Sequence, residues 1–139
     1  MTTDETLRAI FDQYRTIAVV GMSRNPQKAA FYVPDYMREQ SYTIIPVNPM
    51  SEEIAGLKCY PTLADVPEAI EIVNVFRPSE DALAVVEAAL ERNRTRGDIA
   101  VIWLQLGIHN EIARQLAEAT GVQFVQNRCM YADHIRLYA

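Results

Sequence analysis

Apolar residues in this chain fall into short runs rich in β-branched side chains, and between them lie stretches whose apolar positions recur every three or four residues. The runs Thr16–Val20, Tyr42–Pro46, Glu71–Phe76, Asp98–Leu104 and Val122–Val125 predict strands. The stretch Thr3–Arg15 carries Leu7, Ile10, Phe11 and Tyr14 at helical spacing, with Thr2 and Glu5 spaced as a capping box. A second helix is predicted over Ala30–Gln40, with Val33, Tyr36 and Met37 on one face and Pro34 near its first turn. Ser79 is placed to cap a third over Glu80–Arg92, and a fourth over His109–Thr120 ends at Gly121. Met130–Leu137 reads as a weak closing helix. Between the second and third main strands, Val47–Gly56 reads as a loop, Lys58–Tyr60 as a short edge strand and Thr62–Pro67 as a turn or short helix.

Alternation of strand and helix on this scale predicts an α/β fold with a parallel sheet covered by helices on both faces. The apolar run Ile99–Leu104 agrees, because a strand buried on both sides loses polar alternation. Right-handed crossovers leave few topologies, and the expectation is a Rossmann-like, doubly wound, five-stranded sheet of order 3-2-1-4-5. No internal repeat or linker interrupts the pattern, so residues 1–139 are expected to form a single domain.

Composition adds limits. Half of the residues are hydrophobic and 22% are charged, as in a globular chain, and the net charge of −5 speaks against a broad basic face for nucleic acid. No apolar run reaches the roughly 20 residues that cross a bilayer, and the start of the chain lacks a secretory signal pattern, so no membrane association and a cytoplasmic location are expected. Cys59 and Cys129, with no Cys-x-x-Cys pairing, read as reduced thiols without a metal.

In an open parallel sheet, ligands bind beyond the carboxyl ends of the strands, where the strand order reverses. That places the candidate chemistry in the loops starting at Gly21, Val47, Arg77, Gln105 and Gln126. Four cations (Arg24, Lys28, Arg77 and Arg128) follow closely behind strand ends, and residues 21–28 contain no acid. A net-negative chain thus keeps this end positive, as an anionic ligand requires. The first loop is not Gly-x-Gly-x-x-Gly, since Ser23 and Pro26 stand near the second and third glycine positions. The second strand ends in Pro46-Val47-Asn48-Pro49, without the acid that an NAD site presents to ribose. NAD is therefore disfavoured.

Six motifs occur in order: Val-Gly-Met-Ser-Arg-Asn-Pro at 20–26, Pro-Val-Asn-Pro at 46–49, Tyr60-Pro-x-Leu63, Val-Phe-Arg-Pro at 75–78, Trp-Leu-Gln-Leu-Gly at 103–107 and Asn-Arg-Cys at 127–129. Over about residues 10–137 the chain resembles the stand-alone CoA-binding proteins, relatives of the N-terminal domain of the succinyl-CoA synthetase α subunit. The resemblance implies a Rossmann-like fold that binds coenzyme A, or an acyl-CoA, at the strand carboxyl ends. It implies that Gly21, Ser23 and Arg24, with Asn25 in the same loop, meet the phosphate end, and that Lys28 fills a basic position. It further implies that Pro46, Val47 and Asn48 flank the nucleotide, that Phe76, Arg77 and Pro78 line the other side, and that Gln105 faces the thiol arm. Where the family often continues with Pro-Ser after the basic position, this chain has Ala29-Ala30, so one hydroxyl contact is missing.

The implied function is non-catalytic binding of CoA by a carrier, sensor or accessory protein with an unknown protein partner. Two other readings stand beside it. One is an enzyme acting on an acyl-CoA or another nucleotide cofactor, with His109 or Cys129 as the reactive group; the other is an interaction module that has lost its ligand. Neither a Ser-His-Asp spacing, a metal-ligand spacing nor a carboxylate pair can be picked out, so catalysis is not indicated. His109 and His134 read as surface histidines on helices, Cys129 as an inert thiol, Trp103 as core, and Arg92, Arg94 and Arg96 as a solvated helix end.

Overall fold

A computed structural model describes residues 2–138. Five parallel strands form the main sheet: β1 (Thr16–Val20), β2 (Thr43–Val47), β5 (Ile72–Val75), β6 (Val101–Leu104) and β7 (Gln123–Val125). Between β2 and β5 the chain makes a small antiparallel hairpin, β3 (Glu53–Ile54) and β4 (Leu57–Lys58), then a 3-10 turn over Leu63–Asp65. The helices are α1 (Asp4–Gln13), α2 (Ala29–Glu39), α3 (Ser79–Arg96), α4 (Glu111–Ala119) and α5 (Met130–Tyr138). The expected α/β, Rossmann-like doubly wound class is the one observed.

The strand order differs from the expected 3-2-1-4-5. It is β2-β1-β5-β6-β7, so the third main strand inserts beside β1 and leaves β2 at the edge. Pro46 supplies the physical reason. Its carbonyl faces away from β1 and accepts from Tyr60 N–H at 3.0 Å, so the position lacking an N–H lies on the outer side of β2. An interior β2 would need a donor there, and proline belongs on edge strands. The order 2-1-3-4-5, counted over the main strands, is the flavodoxin-like doubly wound arrangement, with its switch point between the first and third strands.

Alternate residues of each strand feed two cores. Ile17, Val19, Ile72, Val101 and Trp103 pack with Leu7, Phe11, Val33, Met37 and Met130 from α1, α2 and α5. Ala18, Val73, Val75, Ile102 and Leu104 pack with Ala82, Val86, Ala113 and Ala117 from α3 and α4. Trp103 is fully buried, as expected, and its indole N–H donates to the Arg128 carbonyl at 2.8 Å.

Several boundaries move for local reasons. Thr3, one residue past the expected cap, accepts the Thr6 N–H and starts α1. Ser79 lies inside α3 rather than capping it; its hydroxyl accepts from His109 N–H at 3.0 Å and ties the loop after β6 to the helix start. The stretch read as a loop over Val47–Gly56 contains a hairpin strand, because Ala55 and Gly56 both adopt positive φ (56° and 76°) and close a two-residue turn.

The helix α3 continues to Arg96; Arg94 and Arg96 are exposed there, as expected of a solvated helix end, but Arg92 is not. Arg92 is 4% exposed. It donates to the carbonyls of Leu63, Val66 and Glu68 and pairs with Asp98 at 2.9 Å, while Arg96 donates to Val66 at 2.7 Å. His134 is likewise buried rather than on the surface. It is stacked on Tyr138, edge-on to Phe11, and its Nδ1 shares a hydrogen bond with the Tyr36 hydroxyl at 2.8 Å.

Candidate functional site

The switch point lies where β1 ends in Gly21 and β5 ends before Phe76. Gly21 N–H donates to the Val47 carbonyl at 2.9 Å, and Phe76 N–H donates to the Val20 carbonyl at 2.9 Å, so three strand ends are laced together. Gly21 has φ +87°, and a Cβ placed there would come 3.2 Å from Arg77 Cδ and 3.3 Å from the Phe76 carbonyl oxygen. Both the left-handed backbone and the close approach of β5 require glycine. Gly21 therefore holds open the floor of a crevice between the first loop and the end of β5.

From Gly21 the chain turns over Met22–Gln27 into α2. Ser23 hydroxyl oxygen accepts the Asn25 N–H, and Asn25 Oδ1 accepts the Gln27 N–H, each at 3.0 Å. These two side chains shape the loop, so their acceptor oxygens are engaged with the backbone. The N-terminus of α2 begins after Lys28, has no side-chain cap and has no acid in its first turn. Its first N–H groups and the helix dipole thus point positive potential at the crevice mouth. Arg24 and Lys28 flank it, both exposed. Among the described residues neither has an ion-pair partner.

On the other side of Gly21 is a cavity of about 560 Å³ lined by Val20, Gly21, Val47, Asn48, Arg77 and, on α3, Ala84, Val85 and Ala88. The small side chains on α3 leave the space, and Pro61–Leu63 closes the far wall. Asn48 fixes the second loop: its Nδ2 donates to the Met22 carbonyl at 2.9 Å and its Oδ1 accepts from Met50 N–H at 2.9 Å. Beneath it, Cys59 Sγ lies 3.4 Å from the Asn48 carbonyl, and burial pushes this thiol up. Pro46 is buried in β2 below Val47. Arg77 reaches from the end of β5 to Asp81 at 3.0 Å, both half-exposed, and Pro78 precedes the first residue of α3.

Of the sequence candidates, Gly21, Ser23, Arg24, Asn25, Lys28, Pro46, Val47, Asn48, Phe76, Arg77 and Pro78 converge on this one end of the sheet. Gln105 shares that end but not the opening: it is buried, and its Oε1 accepts from Met130 N–H at 3.3 Å, at the start of α5. Arg128, also at a strand end, is engaged by Asp133 at 2.8 Å, and Asp133 also binds Arg136. His109 is exposed, and Cys129 is a half-buried free thiol. The cavity wall from α3, Ala84, Val85 and Ala88, was not among the sequence candidates; its signal is a run of small residues on one helical face.

Among the described residues no three His, Cys, Asp or Glu side chains gather as a metal site, and no helix is long and apolar enough to cross a membrane.

Fold and crevice together define a doubly wound α/β domain with Rossmann-like topology and an open switch point. Residues 15–135 match the family model described as a CoA binding domain, and the chain belongs to that family. It is 36% identical over 128 residues to the protein YneT of Bacillus subtilis, covering 92% of this chain and 91% of that one. A hypothetical protein from Pyrococcus horikoshii OT3 superposes with a TM-score of 0.92 at 38% identity, over 99% of this chain and 94% of that chain. The ADP-forming acetate–CoA ligase of Methanocaldococcus jannaschii is 24% identical over 135 residues, which are 90% of this chain but 18% of the ligase. This chain is homologous to the CoA-binding domain of that enzyme class.

Proposed function

We propose that this protein binds coenzyme A, or a short acyl-CoA, at the switch point between β1 and β5, and acts as a non-catalytic carrier, sensor or accessory protein. The observation that carries the reading is the place of Gly21, which lines the cavity over Val47 and Ala84 and also opens the short loop leading into the uncapped, acid-free start of α2. An anion fits at the helix start, where free N–H groups, Arg24 and Lys28 converge. A flat, partly apolar group fits the cavity, with Asn48, Arg77 and Pro78 at its rim. CoA joins those two chemistries in one molecule. The thiol arm then runs along the ends of β5 and β6 past Phe76 toward Gln105. Within that arrangement Ser23 and Asn25 act mainly by shaping the loop, with the Ser23 hydroxyl hydrogen and Asn25 Nδ2 left to donate.

A non-catalytic role is supported by the isolation of the reactive groups. Among the described residues, the His109 backbone N–H donates to the Ser79 hydroxyl and the Cys129 carbonyl accepts from Asp133 N–H, and no side-chain hydrogen bond joins either residue to a second titratable group, Glu111 lying only within charge range of His109. A nucleophile or general base needs such a partner.

Thermal unfolding with CoA, acetyl-CoA, NAD, NADP and ATP tests the reading. Ligand at about 100 times its Kd stabilises the native state by about 2.7 kcal/mol. In a domain of this size that is a rise in Tm of about 5–10 °C. CoA and acetyl-CoA are expected to produce it and NAD is not. No shift at millimolar CoA overturns the proposal.

A further inference from the structure

Pro34 is buried in the interior of α2, five residues after the helix begins, and lies outside the crevice. In an unbroken α-helix the Ala30 carbonyl would accept the N–H of residue 34. Proline has no N–H, and its ring pushes the carbonyl four residues earlier away from the helix axis. That carbonyl is not orphaned here: Ala30 accepts the N–H of Ser23, in the first loop, at 3.1 Å. Ser23 is the residue whose hydroxyl then takes the Asn25 N–H, and the Asn25 carbonyl takes the Lys28 N–H at 3.0 Å. A continuous hydrogen-bonded path thus runs from the proline in α2 to the residue at which that helix starts.

We propose that Pro34 is a positioning residue for the anion-binding loop: by removing one helical donor it assigns the Ala30 carbonyl to Ser23 and so fixes the loop that presents Arg24, Lys28 and the α2 N-terminus to the ligand. A proline in a helix interior lowers helix stability while its buried ring adds packing, so a purely structural role would show only in the melting temperature. The positioning role makes a different demand. Any residue with an N–H at position 34 competes for the Ala30 carbonyl and loosens Ser23, whatever it does to the helix. The inference rests on the CoA-binding reading for its consequence, but the latch itself can be observed without ligand.

The test uses the full chain with Pro34→Ala and Pro34→Gly. Both restore the N–H, while they differ in helix propensity, so their melting temperatures are expected to separate with alanine the higher. Amide hydrogen exchange by NMR is expected to show Ser23 losing protection by about three- to tenfold in both variants, the loss of one hydrogen bond of ordinary strength. Gly21 N–H, bonded to Val47, should keep its protection. Calorimetric titration with CoA is expected to show about a tenfold weaker Kd in both variants despite their different stabilities. Unchanged Ser23 protection in the variants overturns the latch, and weakened binding that tracks stability rather than the restored N–H overturns the positioning role. If the native chain itself fails to bind CoA, the binding proposal falls, and the exchange measurement still decides the latch.

Discussion

Replacing Arg92 by methionine should unfold the protein far more easily than an ordinary change near the end of a helix. All five guanidinium N–H groups are used: Nε and one Nη donate to Asp98, and the Nη pair reaches the carbonyls of Leu63, Val66 and Glu68 at 2.5, 2.8 and 2.8 Å. Not all of these partners are stranded by the substitution. Val66 keeps Arg96 as a donor, and Glu68 lies where water can reach it. The loss falls on Leu63, which is buried, and on Asp98, whose carboxylate retains only the Ile70 N–H at 2.9 Å. Removing one partner of a buried ion pair costs about 3–5 kcal/mol. With a urea m-value of about 2 kcal/mol per molar for a domain of this size, the midpoint should fall by about 1.5–2.5 M at unchanged m. Urea titration followed by Trp103 fluorescence measures it. The double variant Arg92→Met/Asp98→Asn should recover part of the loss, because the stranded charge is gone while an acceptor for Ile70 remains. A midpoint change under about 0.5 M, or a double variant no better than the single, would refute the reasoning, since neither fits a buried pair of this strength.

Two further outcomes follow from single residues. Ser41 holds φ +75° at the end of α2, where its N–H bonds to Arg38 and the Tyr42 N–H bonds to Met37, a helix termination that favours glycine. Ser41→Gly should therefore stabilise the protein by about 0.5–1 kcal/mol, seen as a Tm a few degrees higher; a lower Tm would show that the serine is not strained. His134 titrates below its ordinary value because it is buried, with the Arg15 charge adding to the effect. The unfolded chain thus takes up this proton first, so the contribution of the neutral ring is present above about pH 6.5 and is lost as pH falls from there through the lower folded value. Tm should fall between pH 7 and pH 5, and His134→Phe should flatten that part of the profile; an equally steep profile in the variant would exclude His134 as its source.

Much of this was legible in the residues. The five strand runs, the helices between them and the crowding of Gly21, Arg24, Lys28, Asn48 and Arg77 at one end follow from periodicity and from the rule that strand carboxyl ends carry the site. The strand order was not obtained from the crossover rule, which put β2 inside the sheet; the signal that corrects it is Pro46, since a strand with a missing outward donor belongs at an edge. What sequence spacing could not reveal were partners distant along the chain. Arg92 looks like any cation at a helix end until the 63–68 segment is folded against it, and Ser79 looks like a cap until the loop before α4 supplies the His109 N–H. Gln105 sits where a ligand arm was expected, yet α5 turns back and takes its carbonyl oxygen. Pro34, read from sequence as near the first turn of its helix, lies in the second turn, where its missing N–H leaves the Ala30 carbonyl to a residue distant along the chain, Ser23.

The position of β2 at the rim of the sheet bears on how copies of this protein meet. An exposed strand edge is a template on which another chain can add a strand. Here Pro46 offers no donor on that side, and Tyr60 lies against Val47, with its N–H and C=O taken by Pro46 and Asn48. A neighbouring copy finds no row of free backbone groups to extend along this strand. Growth of the sheet from one molecule to the next is blocked at the edge nearest the crevice, and the approach to Val47 and Asn48 stays clear of self-association through strand pairing.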